Sequence, residues 1–416
     1  MKSLNSVIVS GREVLPIFEG GKGVAVSNGE SAGAFAAAGC VGTVSGVNAD
    51  SYDDNGNIIQ QVYHATTRRE RWHELISYAI DGGIAQAKIA HEKSGGEGRV
   101  HVNVLWEAAG TQQVIEGILQ GAKGFIHGVT CGAGMPYKIA EIVSSYGVYY
   151  HPIISSTRAF RALWKRSYHK HAEFLGSVVY EDPWLAGGHN GLSNAEDPEK
   201  PQDPYPRIVE LRKQMREFGL DNTPIVMAGG VWYLREWQDW LDNPDLGPIA
   251  FQFGTRPLLT RESPVPDATL QRYLDCKNPG DIVVSRAMDG LPQRMIMNEL
   301  LADLEKAGGL KKLIVALRNG LAFRKHTGAS VLGLLKSAIS MSRDDDMTAA
   351  QAIMSANAPM IIQKAMVDGQ PSRGVLPSGQ VAGVIDELLS CEELINSIVT
   401  EAEQRLALLA LRVSEA

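Results

Sequence analysis

Apolar positions over the first 260 residues follow two alternating rhythms. Short runs rich in β-branched residues, of strand length, alternate with stretches in which apolar residues recur every three to four positions. The short runs predict strands over 15–20, 42–47, 100–105, 124–129, 148–154, 177–180, 225–228 and 249–253, and the longer stretches predict helices over 67–93, 111–120, 137–146, 157–169 and 207–218. Strands that alternate with helices build βαβ units and a parallel sheet. Eight of them fit a closed (β/α)8 barrel better than an open doubly wound sheet.

From Pro264 the rhythm changes to long helical segments, over 267–276, 291–306, 311–340 and 347–365, with a last helix over 391–411. The expected division is a barrel over 1–263, a mainly helical lid or substrate domain over 264–373, and a C-terminal segment over 374–416 that returns to the barrel. Asp344, Asp345 and Asp346 read as helix-start residues, which cap free amides and suit the positive end of the dipole.

Chemistry concentrates where strands empty into glycines. The run Val178-Val179-Tyr180-Glu181 leads into Ala186-Gly187-Gly188-His189-Asn190-Gly191; two more junctions follow, at Ala228-Gly229-Gly230 and at Phe253-Gly254-Thr255. Read as the ends of strands six, seven and eight, they put Gly187, Gly188, Gly229, Gly230, Gly254 and Thr255 where a barrel holds phosphate on bare amides and a hydroxyl. His189, bracketed by glycines, is the candidate catalytic residue, since an imidazole exchanges protons near neutral pH. Asn103 is a polar amide inside the apolar strand 100–105 and needs a partner if buried.

The formal net charge of −7 over 416 residues argues against a nucleic-acid partner. Cys40, Cys131, Cys276 and Cys391 lack disulfide or metal spacing, so no metal site is signalled. Neither a signal peptide nor a membrane span shows, and the expectation is a soluble cytoplasmic protein.

These motifs, with Pro16-Ile17-Phe18-Glu19-Gly20-Gly21-Lys22-Gly23-Val24 at the first strand, Gly254-Thr255-Arg256-Pro257-Leu258-Leu259 at the last and Gly379-Gln380-Val381-Ala382-Gly383 near the C-terminus, resemble a known family. It is the FMN-dependent nitronate monooxygenases (2-nitropropane dioxygenases), related to the flavin-dependent enoyl-ACP reductases. The resemblance runs in order from residue 16 to about 385. It implies an FMN-bearing barrel with a second domain folded over the flavin, the phosphate on the glycine tips, and Gly21, Lys22, Gly23, Asn103, Gly132 and Gln380 as further cofactor-binding residues. Lys22 stands where the family usually has methionine, and Cys40 where it commonly has Gly-Gly.

The activity implied is oxidation of a small nitronate or similar carbon acid through flavin N5, with O2 as reoxidant. An NAD(P)H-dependent reductase acting on a quinone or an enoyl thioester of CoA or an acyl carrier is one alternative, although no nicotinamide fingerprint is apparent. A non-catalytic flavin-binding scaffold subunit is another, and homo-oligomer formation stays open. Cys131 reads as a buried thiol rather than a nucleophile. The basic stretch Arg158, Arg161, Lys165, Arg166, Lys170 and His171 reads as a solvated helix face or a dock for a phosphorylated partner, and the loop 192–206 as a lid or subunit contact.

Overall fold

The computed structural model describes residues 4–306 and 358–415, apart from 63, 65–67, 109, 190, 194, 195, 279 and 289. The chain opens with an antiparallel hairpin, β1 (Val7–Val9) and β2 (Arg12–Val14), that the strand pattern did not announce. It turns at Ser10 and Gly11, whose φ angles of 49° and 74° match the right-handed twist of paired strands.

Eight parallel strands then close a barrel: β3 (Ile17–Glu19), β4 (Val41–Ser45), β5 (Arg99–Leu105), β6 (Gly128–Gly132), β7 (Tyr149–Ile154), β8 (Val178–Glu181), β10 (Ile225–Ala228) and β11 (Ile249–Phe253). Each pairs with the next in this order, and β11 closes on β3 with Phe251 opposite Ile17. All eight expected strands are present. One is displaced: the run 124–129 yields to Gly128–Gly132, because Gly124 has φ 86° and Phe125 N donates to Ala122 O in the turn that ends the preceding helix.

The helices around the barrel are α1 (Gly29–Ala37), α2 (Arg68–Lys93), α3 (Thr111–Gly121), α4 (Ile139–Ser144), α5 (Thr157–Arg166) and α6 (Pro204–Glu217). Of these, α1 was not expected from the pattern, since its Gly, Ala and Ser carry almost no apolar signal. Asn28 caps it, Oδ1 accepting from Ser31 N at 2.9 Å. Its small residues allow close approach to β4: a Cβ added at Gly42 would lie 1.8 Å from Ala32 O.

The hairpin plugs the N-terminal end of the barrel. Val7, Val9 and Val14 pack against Phe18, Val41, Val179, Val226 and Ala250 from the lumen faces of the strands. Between plug and lumen, Ser10 Oγ is hydrogen-bonded to His101 Nε2 at 2.9 Å and to His151 Nε2 at 3.0 Å, and both rings are fully buried.

Beyond residue 263 come α7 (Asp267–Leu274), β12 (Ile282–Ser285), β13 (Gln293–Ile296), α8 (Glu299–Lys306), α9 (Ala358–Met366) and α10 (Cys391–Glu415). The described part of the region expected to be mainly helical therefore mixes helix with sheet. Within the expected helix 291–306, the first residues form β13, and the helix starts only where Asn298 Oδ1 accepts from Leu301 N at 2.9 Å. The segments 311–340 and 347–357, with Asp344 to Asp346, lie outside the described residues. In α10, Cys391, Leu394, Ile395, Ile398, Ala402 and Leu406 bury one face in the barrel's outer core. No described helix is long and apolar enough to cross a membrane.

Candidate active site

The histidine turn is built by an aspartate. Asp182, fully buried after the last residue of β8, accepts from Trp184 N at 2.8 Å and Leu185 N at 3.0 Å through Oδ1, and from Arg207 Nη2 at 3.1 Å through Oδ2. Its own amide donates to Ala228 O at 2.8 Å, which ties the turn to β10. Burial pushes this carboxyl up, while the two amides and Arg207 hold it down. Trp184 Nε1 donates to Asp197 O at 3.0 Å, so the loop 192–206 is anchored on the turn.

The turn continues into β9 (Gly188–His189), which is not part of the barrel. It pairs antiparallel with β13, Gly188 opposite Arg294 and His189 opposite Gln293. The Arg294 side chain, nearly buried, crosses this junction: Nη1 donates to Gln380 Oε1 at 2.8 Å and Nη2 to Trp184 O. His189 is left exposed at the barrel mouth.

The glycine tips converge beside it. A Cβ added at Gly229 would lie 3.0 Å from Ala186 N, one at Gly230 2.8 Å from Leu185 Cδ1, and one at Gly187 2.6 Å from Gly379 N. Gly379 N donates to Thr255 Oγ1 at 2.9 Å, and Gln380 N to Leu185 O at 3.1 Å. Gly187, Gly188, Gly229, Gly230, Thr255 and Gln380 thus share one corner of the C-terminal rim. Gly229 and Gly230 both have positive φ, 93° and 74°, a succession that only glycine adopts without strain. A Cβ added at Gly254 would meet nothing within 4 Å.

Gly21, Lys22 and Gly23 follow β3, the neighbour of β11, and Asn103 and Gly132 stand further round the rim on β5 and β6. Gly21 packs directly on Asn103, where an added Cβ would lie 2.2 Å from Asn103 Cβ. The Asn103 amide has no hydrogen-bond partner among the described residues, although the residue is only 5% exposed. The Lys22 ammonium turns back onto fully buried Glu19 Oε1 at 3.0 Å and Gly20 O at 2.9 Å, so it stands as half of an ion pair. Val24 and Ala25, next along, hold φ of 56° and 64°, a strained pair of left-handed residues at the rim.

Three polar residues of the site escaped the sequence reading. Glu181 and Gln252 follow Val179 and Ala250 at the two-residue spacing that keeps a side chain on the lumen face, so both stand in the layer above the plug. Burial first, then the charge of Asp182, pushes the Glu181 carboxyl up to about 7, against a downward pull from His189. The third is Arg294. Cys131 is fully buried against the outer core, and burial pushes its thiol up. Of the basic stretch, Arg166 lies 4.0 Å over the Tyr137 ring and His171 Nδ1 is 3.0 Å from Ser144 Oγ. Arg158, Arg161, Lys165 and Lys170 are exposed, without an ion pair among the described residues. A cavity of about 390 Å³ at the far end of the barrel, lined by Leu4, Val7, Pro16, Leu241 and Ile249, includes none of these groups.

Comparison with known proteins agrees with this fold. The nitronate monooxygenase family matches residues 11–401. A (3aS,4S,5R,7aS)-5-hydroxy-7a-methyl-1-oxo-octahydro-1H-indene-4-carboxyl-CoA dehydrogenase of Rhodococcus jostii is 40% identical over 190 residues, 45% of this chain and 53% of that protein. The chain spans about half the length of the curated relatives it matches. Among solved structures, FabK from Thermotoga maritima superposes with a TM-score of 0.58 at 18% identity, covering 95% of this chain and 94% of the other. A nitroalkane oxidase from Streptomyces ansochromogenes gives 0.59 at 16% identity, covering 95% and 97%. At these identities the two structures speak for the fold.

Proposed function

The chain belongs to the nitronate monooxygenase family; on that premise we propose that it is an FMN-dependent oxidoreductase that acts on a carbon acid activated by a thioester, of the acyl-CoA type. The observation that carries the reading is the histidine turn: β13 holds it at the barrel mouth, with exposed His189 beside the lumen carboxyl of Glu181. A reaction that takes a proton from carbon needs such groups at the place where the electrons leave.

The residues fit FMN at this rim. The Asn103 amide lacks a protein partner among the described residues, Gly23 and Gly254 open onto free space, and Gly229 and Gly230 bare their amides. Gly187, Gly188, Gly229, Gly230, Gly254 and Thr255 would hold the phosphate. Gly21, Lys22, Gly23, Asn103 and Gly132 would border the ring, and Gln380, steadied by Arg294, would close the corner. When bound, FMN supplies the electron sink. The protein orients the carbon acid, and His189 exchanges the proton.

Two observations support the thioester. The relative from Rhodococcus jostii is named for a CoA substrate. Arg158, Arg161 and Lys165, cations without an ion pair among the described residues, line α5, whose capped start at Ser156 follows β7 at the rim, and they suit the phosphates of a CoA. The second reading is a free nitronate, favoured by the family's own description. It needs the same proton exchange and no basic dock.

Anaerobic mixing separates the readings. FMN-loaded protein is exposed in turn to an acyl-CoA, an alkyl nitronate, NADH and NADPH while flavin absorbance is followed. Bleaching by the acyl-CoA is the expected result. Bleaching by the nitronate alone selects the second reading, and bleaching by NADH or NADPH alone an NAD(P)H-dependent reductase. A protein that takes up no FMN refutes all three.

A further inference from the structure

Glu181 is the last residue of β8 and lies opposite Ala228 of β10 in the parallel ladder. Because side chains alternate along a strand, it shares the lumen face with Val179, which is buried in the plug. It therefore stands one layer higher, at the floor of the mouth, and is partly accessible from it. No hydrogen bond or ion pair from the described residues reaches its carboxylate. Its two titratable neighbours are Asp182 and His189. The first is engaged by Arg207 and two backbone amides, and the second stands exposed on β9. A lumen carboxylate without donor or cation is costly to keep charged, so it has no evident structural use.

We propose that Glu181 is a second proton-transfer group of the site, serving the lumen side of the substrate as His189 serves the rim side. The step is a carbon deprotonation: the C–H bond α to the activating group breaks, an O–H bond forms on the Glu181 carboxylate, and the electron pair stays on the substrate as its enolate or nitronate. The carboxyl sits near its midpoint at neutral pH, so it is able to take the proton and to return it. The proposal rests on the carbon-acid reading above, though not on the choice between thioester and nitronate.

The test uses the FMN-loaded full chain in D2O, with acetoacetyl-CoA and nitroethane as separate probes. NMR follows wash-out of the α-hydrogen in wild type, Glu181→Gln and Glu181→Asp. Infrared difference spectra across neutral pH follow the carboxylic-acid C=O band, a readout independent of turnover. The expected result is loss of that band in Glu181→Gln, an exchange rate lower by about 10²-fold, partial rescue by Asp, and unchanged FMN affinity. Persistence of the band in Glu181→Gln, or exchange within about threefold of wild type, overturns the proposal. Exchange of nitroethane alone removes the thioester and leaves Glu181 to be judged on nitroethane. Wild-type protein that exchanges neither probe overturns the carbon-acid reading and this proposal together.

Discussion

Acid should unfold this protein earlier than its carboxylates alone would. His101 and His151 are fully buried, with ring centroids 4.2 Å apart, and share the single hydroxyl of Ser10. That hydroxyl donates one hydrogen. It therefore serves one bare Nε2 and accepts from the other, which matches His151 bonding Ser177 Oγ through Nδ1 at 2.7 Å while His101 Nδ1 has no partner among the described residues. A further proton has no acceptor. Burial lowers His151 to about 3, and burial with the His151 and His127 charges holds His101 well below its ordinary value. Both folded values are depressed, so only the unfolded chain takes up these protons as pH falls below about 6.5. Each histidine then removes about 1.4 kcal/mol of stability per pH unit. The pair removes about 5 kcal/mol by about pH 4.5, comparable with a typical total stability. His127, lowered to about 4, and Glu181, raised to about 7, act in opposite senses over this range and roughly offset. Urea titrations at several pH values measure the slope, and imidazole NMR identifies the groups. A flat stability between about pH 6.5 and 4.5, or buried imidazoles that titrate above about 6, would refute the reasoning.

Three substitutions probe the rim and its support. Gly21→Ala drives a Cβ to within 2.2 Å of Asn103 Cβ, an atom that cannot swing away, and should weaken FMN binding by about tenfold or more, read by flavin fluorescence titration. Arg294→Lys leaves one ammonium for two acceptors, Trp184 O and Gln380 Oε1, so hydrogen exchange at Gly188 and His189 should quicken while Tm moves little; unchanged exchange there would show that the strand pairing alone holds the turn. Gly42→Ala sets a Cβ 1.8 Å from the Ala32 carbonyl and should cost about 3 kcal/mol or more through separation of α1 from the barrel, with a urea midpoint shift as the measure.

The barrel was legible because parallel strands are covered on both faces, so runs such as Ile225–Ala228 are apolar throughout, and Ile249–Phe253 apolar but for Gln252, and they stand out from the helices. The glycine stops were legible for a related reason: a turn with consecutive positive φ, as at Gly229 and Gly230, demands that residue type. What stayed hidden depends on pairing over long separations. β9 has two residues and no periodicity, and nothing near His189 announces that Arg294, 105 positions later, will lie across its turn. The second layer of the lumen was within reach. Asn103 drew attention as a polar side chain inside an apolar run, and the same physics applies to Glu181, which ends one. A polar residue at a strand's last position reads as the start of a loop, but in a barrel that position is the floor of the mouth, where an unpaired carboxyl faces whatever the rim holds.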